Sequence, residues 1–113
     1  MNIVLPWPTK ALSPNARVHH MALHKAKQSY RFACATVARQ QGARKLSAGA
    51  LHLRITFVPP DRRARDLDNM LASIKSGLDG LCDVLEVDDS LWTLTITKAA
   101  EVGGMVRVEV VNG

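Results

Sequence analysis

Apolar and polar positions alternate along residues 50–58, with Leu51, Leu53, Ile55 and Phe57 on one side. That period of two predicts a half-buried strand. Pro59 and Pro60 end it, because neither has an N–H to give to a sheet. Three other stretches read as strands. Residues 2–7 form a short one ended by Pro6 and Pro8. Residues 91–98 put Trp92, Leu94 and Ile96 on one face and threonines on the other. Val106, Val108 and Val110 alternate with Arg107 and Glu109. Glu101-Val102-Gly103-Gly104 between the last two is a turn signal, so they are expected to pair as a hairpin.

The period becomes helical in two places. Across residues 18–41, Leu23, Ala26, Tyr30, Ala33, Cys34 and Val37 recur at three- and four-residue steps, and Gly42 supplies a stop. Residues 67–81 carry Leu67, Met70, Leu71, Ile74, Leu78 and Leu81 within about 100° of arc, a clean amphipathic stripe. Residues 9–16, with Pro14 and Asn15, read as a loop. The order β-α-β-α-β-β predicts an α/β (α+β) fold, a small mixed sheet with two helices. A chain of 113 residues fits a single domain.

Composition adds a mainly aliphatic core: 47% of residues are hydrophobic and 4% aromatic. No apolar run approaches the roughly 18 residues of a membrane span. The start lacks the basic region of a signal peptide. Cys34 and Cys82 lie far apart in helix-like patterns and read as reduced packing thiols of a cytoplasmic protein, a disulfide between them being the alternative.

The net charge of +5 is unevenly spread. Residues 1–65 hold 12 Lys and Arg and one acid, Asp61, whereas residues 66–113 hold 3 Lys and Arg and 9 acids. A basic half beside an acidic half suits a polyanion drawn to a cation-binding centre. It also suits two surfaces that neutralise each other, or a small interaction protein whose halves pair in a homo-oligomer.

The halves meet at Asp61-Arg62-Arg63-Ala64-Arg65-Asp66-Leu67-Asp68-Asn69. Arg62, Arg63 and Arg65 can hold phosphates, and close carboxylates repel unless a cation lies between them, a pairing suited to metal-assisted cleavage of a nucleic-acid backbone. Asp66 opens the second helix, where it can accept a hydrogen bond from a free N–H. In extended chain, residues two apart point the same way, so Asp66 and Asp68 can converge on one cation. Asp68, Ala72, Lys75 and Asp79 then form a polar flank, with Lys75 about 10 Å along the axis from Asp68.

Asp83, Glu86, Asp88 and Asp89 form a second acidic group just before residues 91–98. If that strand lies beside residues 50–58, the loop brings Asp88 or Asp89 to the helix start, and three carboxylates meet. Two like charges about 4 Å apart repel by about 4 kcal/mol at an effective dielectric of about 20. The helix dipole contributes only about 0.3–1 kcal/mol. Three acids therefore call for a hard divalent cation, and oxygen-only ligands favour Mg²⁺ or Mn²⁺ over Zn²⁺. Without the third acid, Asp66 and Asp68 merely cap a helix and the chain is a non-catalytic nucleic-acid-binding module. His20 and His24, four apart, lack a nearby third ligand; His19 is a phosphate candidate, and His52 points away from the core. No Gly-rich phosphate loop or serine-nucleophile motif is present.

The Asp61–Asn69 stretch, a leucine-rich helix with Asp79-Gly80-Leu81, and Asp88-Asp89-Ser90 together resemble the RusA family of Holliday-junction resolvases. Leu5-Pro6-Trp7-Pro8 and Ser13-Pro14-Asn15-Ala16-Arg17 resemble that family's N-terminal pattern, so the resemblance covers nearly the whole chain. It implies a homodimeric crossover-junction endodeoxyribonuclease of DNA recombination and repair, often phage- or prophage-borne, acting in the cytoplasm. Such an enzyme binds four-way branched DNA and makes paired symmetric nicks. By position it implies Mg²⁺ on Asp66, Asp68 and Asp89, with Asp88 competing for the third place. The lysine many members carry four residues after the second aspartate is Ala72 here, and Lys75, one turn on, is the natural substitute. Arg62, Arg63 and Arg65 are then expected to grip phosphates near the cut. Asn15, Arg17, Lys25, Lys27 and Arg31 extend the DNA-binding track.

Overall fold

In the computed structural model, which describes residues 1–47 and 49–112, the chain is one α+β domain with a four-stranded mixed sheet. The elements are β1 (Asn2–Pro6), α1 (His20–Gln40), β2 (Leu51–Val58), α2 (Leu67–Ser73), α3 (Lys75–Leu85), β3 (Trp92–Lys98) and β4 (Met105–Asn112). Short 3-10 turns at Lys10–Leu12 and Asp89–Leu91 precede α1 and β3. Among the described residues no helix is long and apolar enough to cross a membrane.

The sheet runs β1-β4-β2-β3. β2 is parallel to β3 and antiparallel to β4, and β1 is antiparallel to β4. The period-two residues do what their spacing predicts: Leu51, Leu53, Ile55 and Phe57 are all buried, as are Val106, Val108 and Val110. They form one core with Ile3, Leu5, Ile74, Leu81 and Leu85.

The expected hairpin between residues 91–98 and 106–110 does not form. The two strands lie on opposite sides of β2. Their link passes the end of β2, where Ala99 N–H bonds the Phe57 carbonyl (2.9 Å), Gly103 N–H that of Pro59 (2.7 Å) and Gly104 N–H that of Val58 (2.9 Å). Gly104 has φ 85°, a value that a residue with a side chain adopts only under strain. Burial accounts for the choice. The valine-rich strand gains more from the centre of the sheet, while the threonine-bearing strand tolerates the edge, where Leu94 stays 39% exposed.

α1 falls within its expected span of 18–41, shorter by two residues at its start and one at its end. Its His19 cap accepts from Met21 N–H through Nδ1 (3.2 Å), and Gly42 (φ 95°) follows its end. Gln41 then turns back, its Oε1 accepting from Val4 N–H and its Nε2 donating to the Val4 carbonyl, both at 2.8 Å. A side-chain amide thus occupies part of the edge of β1.

The second predicted helix is longer than expected and broken in two. Val84 and Leu85 continue the apolar stripe and are buried, so the helix runs to Leu85 and ends at Glu86, which has φ 54°. Ile74 (φ −101°, ψ 7°) leaves helical geometry. Beside it the Ser73 hydroxyl donates to the Asn69 carbonyl (2.8 Å), a back-bond that bends helices. α3 then packs tightly on α1. A Cβ on Gly77 would stand 2.5 Å from the Tyr30 ring, and one on Gly80 2.3 Å from the Arg31 carbonyl. Tyr30 in turn donates to the Pro6 carbonyl (2.7 Å), tying this pair to the end of β1.

Gly80→Ala is expected to lower stability by about 1–3 kcal/mol, despite alanine's better helix propensity, because backbone must move to admit the methyl. Urea midpoints compared with wild type check this; an unchanged or raised midpoint would contradict the close helix approach.

Candidate functional site

After Pro59-Pro60 the chain turns through the arginine-rich loop, and Asp61 organises it. Its carboxylate accepts from Arg63 N–H (3.0 Å) and from Arg65 (2.8 Å), and Arg65 also reaches the Asp61 carbonyl (3.3 Å). These bonds, that from Arg65 foremost, lower the Asp61 pKa to about 2. The Arg65 guanidinium lies over the Trp7 ring, 5.5 Å from its centroid. Arg65 is only 20% exposed, whereas the Arg63 side chain is 71% exposed with a longer 3.7 Å contact to Asp61. Arg62 is exposed. Of the three arginines, Arg65 is held in place by the protein itself, and Arg62 and Arg63 face outward.

This loop, the segment from Trp7 to Ala16 and the first turn of α2 enclose a cleft of about 900 Å³. Asp66 lines it, together with Asn15 and Asn69. Asp66 stands at the N-cap of α2 yet makes no capping hydrogen bond. Among the described residues its Oδ2 receives only Asn69 Nδ2 at 3.4 Å. Asp68 accepts from the N–H of its neighbour Asn69 (3.0 Å). Capping therefore does not explain Asp66, and both carboxylates are exposed.

The expected polar flank lines a second cleft, of about 520 Å³: Asp68, Ala72, Lys75 and Asp79, joined by Lys27 from α1. Lys75 Nζ lies 3.6 Å from Asp79 and 3.4 Å from Asp89. These acids, Asp79 above all, raise its pKa. The loop before β3 thus reaches the joint between α2 and α3. Its two acids differ: Asp88 accepts from Ser90 N–H (2.9 Å) and caps the 3-10 turn, whereas Asp89 faces Lys75.

Among the described residues no three His, Cys, Asp or Glu side chains stand close enough to hold a metal ion together. The sheet explains where Asp89 arrives. β3 does lie beside β2, but in parallel, with Trp92 opposite Leu51. The loop ahead of β3 therefore enters at the end of the sheet where β2 begins, whereas Asp66 follows the end where β2 finishes.

The other candidates spread along α1 and its approach. Arg17 and Lys25 are exposed. Arg31 is committed to Asp83 by two 2.7 Å bonds, so the basic and acidic halves do partly neutralise each other. His20 and His24 are exposed, and the His19 and His20 rings lie 4.4 Å apart. His52 turns from the core as expected, its two ring nitrogens 2.6 Å and 2.9 Å from the Thr93 and Thr95 hydroxyls. Both cysteines are free; Cys34 is buried, which pushes its thiol up to about 11, and Cys82 is half-buried. Sequence reasoning assigned no site role to Trp7, Lys10, Asn69 or Asp79, all of which line the clefts. Asp79 had a signal in its place on the polar flank, and Asn69 and Trp7 in the stretches that resemble the family, whereas Lys10 had none.

The family described as endodeoxyribonuclease RusA matches residues 6–111, a span that takes in both clefts. The chain belongs to the RusA family. A relative from Xylella fastidiosa, described as an uncharacterized protein, is 46% identical over 91 residues, covering 78% of this chain. The chain spans about 60% of that relative's length.

In the wild-type chain the Asp61 carboxyl is expected to titrate near pH 2, below its ordinary value of 3.8. Its contribution to stability is then present above about pH 4 and lost as pH falls through about 2. In Arg65→Met the inflection should move up toward 3.8. Carboxyl-carbon NMR titration of both proteins measures this, and an Asp61 inflection left in place by the substitution would remove Arg65 as its main partner.

Proposed function

We propose that this RusA-family chain is a metal-dependent endonuclease that resolves four-way DNA junctions by paired symmetric nicks. The observation that carries this is the pair Asp66 and Asp68. They are exposed; Asp66 makes no capping bond and Asp68 accepts only from the neighbouring Asn69 N–H. Neither has a cationic partner among the described residues, and both stand next to the arginine loop. The protein leaves these two charges uncompensated where phosphates are drawn in, which suits a hard cation on oxygen ligands.

The donor chemistry fits Mg²⁺, with Mn²⁺ as substitute. Asp66, Asp68 and Asp89 are the proposed ligands. They do not gather in the unbound chain, where Asp89 faces Lys75, so a bound ion would have to draw them together. Asp88 is the weaker candidate because its carboxylate caps its own turn. The bound ion supplies polarisation of the scissile phosphate and a lowered water pKa. The chain's own residues do the rest. Arg62 and Arg63 hold phosphates beside the acids. Lys27 and Lys75 put positive charge on the second cleft, Lys75 acting in place of a lysine at position 72. Arg17, Lys25 and Asn15 extend the track, while Arg65 shapes the loop through Trp7 and Asp61. In the unbound chain Lys75 partly neutralises Asp79 and Asp89.

A homodimer suits a two-fold junction, since each subunit offers one centre to one of two equivalent strands. Among the described residues the outer edge of β3 pairs with no other strand, and Leu94 on β3 and Leu91 just before it are exposed, which supports a partner subunit there. A cytoplasmic role in recombination and repair follows from that substrate. One observation favours the second reading, a non-catalytic binder of nucleic acid: no three acids gather among the described residues.

Incubation of the chain with a synthetic four-way junction, with Mg²⁺ and with EDTA, separates the two readings. Paired nicks that need the metal support the nuclease; binding with no cleavage in either condition supports the binder. Asp68→Asn is expected to abolish cutting while junction affinity is kept or raised, because a charge that repels phosphate is gone. Simultaneous loss of binding would argue against a ligand role. Lys75→Met is expected to tighten Mg²⁺ binding a few-fold, read by calorimetry, as its ammonium no longer competes at Asp89, and to slow cutting. Junction affinity should fall steeply with salt, with a log–log slope of about −0.9 for each phosphate neutralised.

A further inference from the structure

The larger cleft contains features that gripping duplex phosphates does not use. Beside residues of α2, two segments form it, the stretch from Trp7 to Ala16 and the loop from Pro60 to Asp66. Each contributes an exposed cation, Lys10 from the first and Arg63 from the second. Lys10 has no acidic partner among the described residues. The same lining includes the half-buried Trp7 and Ala16, and Asn15 adds an exposed amide. The Arg65 guanidinium over Trp7 and its bond to Asp61 hold this wall in place. Asp66 stands at the same cleft.

Duplex DNA shows a protein phosphates and base edges, while its base faces stay stacked inside. An apolar patch that shares a cleft with two cations is matched by one nucleotide whose base has left the stack, because only then can a base face meet an aromatic or methyl surface. The amide of Asn15 can pair with the edge of such a base. Extruding a base costs least where it is already poorly stacked or unpaired, as at the exchange point of a branched DNA. We propose that this cleft seats one unpaired nucleotide of a DNA strand, its phosphate between Lys10 and Arg63 and its base against Ala16 and the part of Trp7 that Arg65 leaves open. The inference deepens the nuclease reading: seating that nucleotide beside Asp66 would select branched over continuous duplex DNA at the point of cutting.

The test uses the full chain and does not depend on cleavage. A short single-stranded deoxythymidine oligonucleotide and a duplex of equal length are titrated without added metal, followed by anisotropy. Trp7 emission is read in a Trp92→Phe background, which leaves Trp7 as the one tryptophan. The single strand should bind more tightly than the duplex and quench Trp7. Lys10→Glu should weaken single-strand binding roughly tenfold while changing duplex binding much less, and Lys10→Arg should restore it. Equal affinity for the two forms, binding without a change in Trp7 emission, or an equal effect of Lys10→Glu on both would each overturn the proposal. A chain that cuts a four-way junction but fails this titration loses the cleft assignment alone. A chain that passes it but never cuts keeps the cleft and loses the nuclease reading.

Discussion

The close approach of α1 and α3 is the constraint on which the rest depends. Gly77 lets the Tyr30 ring lie on α3, and Gly80 lets the α3 backbone reach the Arg31 carbonyl. A Cβ at Gly80 would require the α1 backbone to move, and one at Gly77 would displace the Tyr30 ring and the Cys34 thiol. With α3 pressed onto α1 and its apolar side closed over the β2 and β4 side chains, its direction is set. α2 cannot continue that direction, and Ile74 absorbs the change while its own side chain remains fully buried. The helix joint, and with it Lys75, is placed by packing that has no chemistry of its own.

From that joint the electrostatics of the site follow. Most acids of the second half of the chain are occupied: Asp83 by Arg31, Asp79 and Asp89 by Lys75, Glu109 by Arg54, and Asp88 by the turn it caps. Asp61, the acid of the first half, is occupied by Arg65. Asp66 and Asp68 receive only weak or local hydrogen bonds from Asn69. A chain that compensates its other carboxylates near this surface and leaves these two bare concentrates unsatisfied negative charge between two clefts. Exposed pairs of this kind add little to stability, and their effect is on which charges stay available to a ligand.

The strand and helix positions were legible because they follow from local spacing. Leu51, Leu53, Ile55 and Phe57 had to share a face whatever their neighbours, and all are buried. The polar flank was legible for the same reason: Asp68, Lys75 and Asp79 line one cleft even though the helix bends between them. Strand neighbours were not legible. A turn signal at Gly103-Gly104 fits a hairpin and equally fits a link across the end of a third strand. The competition between valine-rich and threonine-bearing strands for the centre of the sheet decided between them. The same lack of long-range information hid Lys10 and Trp7, whose importance lies in facing a loop more than fifty residues away.

By itself the sequence determined where the strands and the first helix lie to within a few residues and where the second helix begins, though not its break at Ile74 or its end. It also determined that arginines meet aspartates at that start, since these features depend on neighbours a few positions apart. Tertiary structure alone decided that β3 runs parallel to β2 and so brings Asp89 to Lys75 at the helix joint. It also decided that Asp66 and Asp68 open onto different clefts, and that Arg65 is bound to Trp7 and Asp61. The reason is physical. Local periodicity follows from backbone geometry over a few residues, but the meeting of distant charges depends on how the apolar faces choose to cover one another.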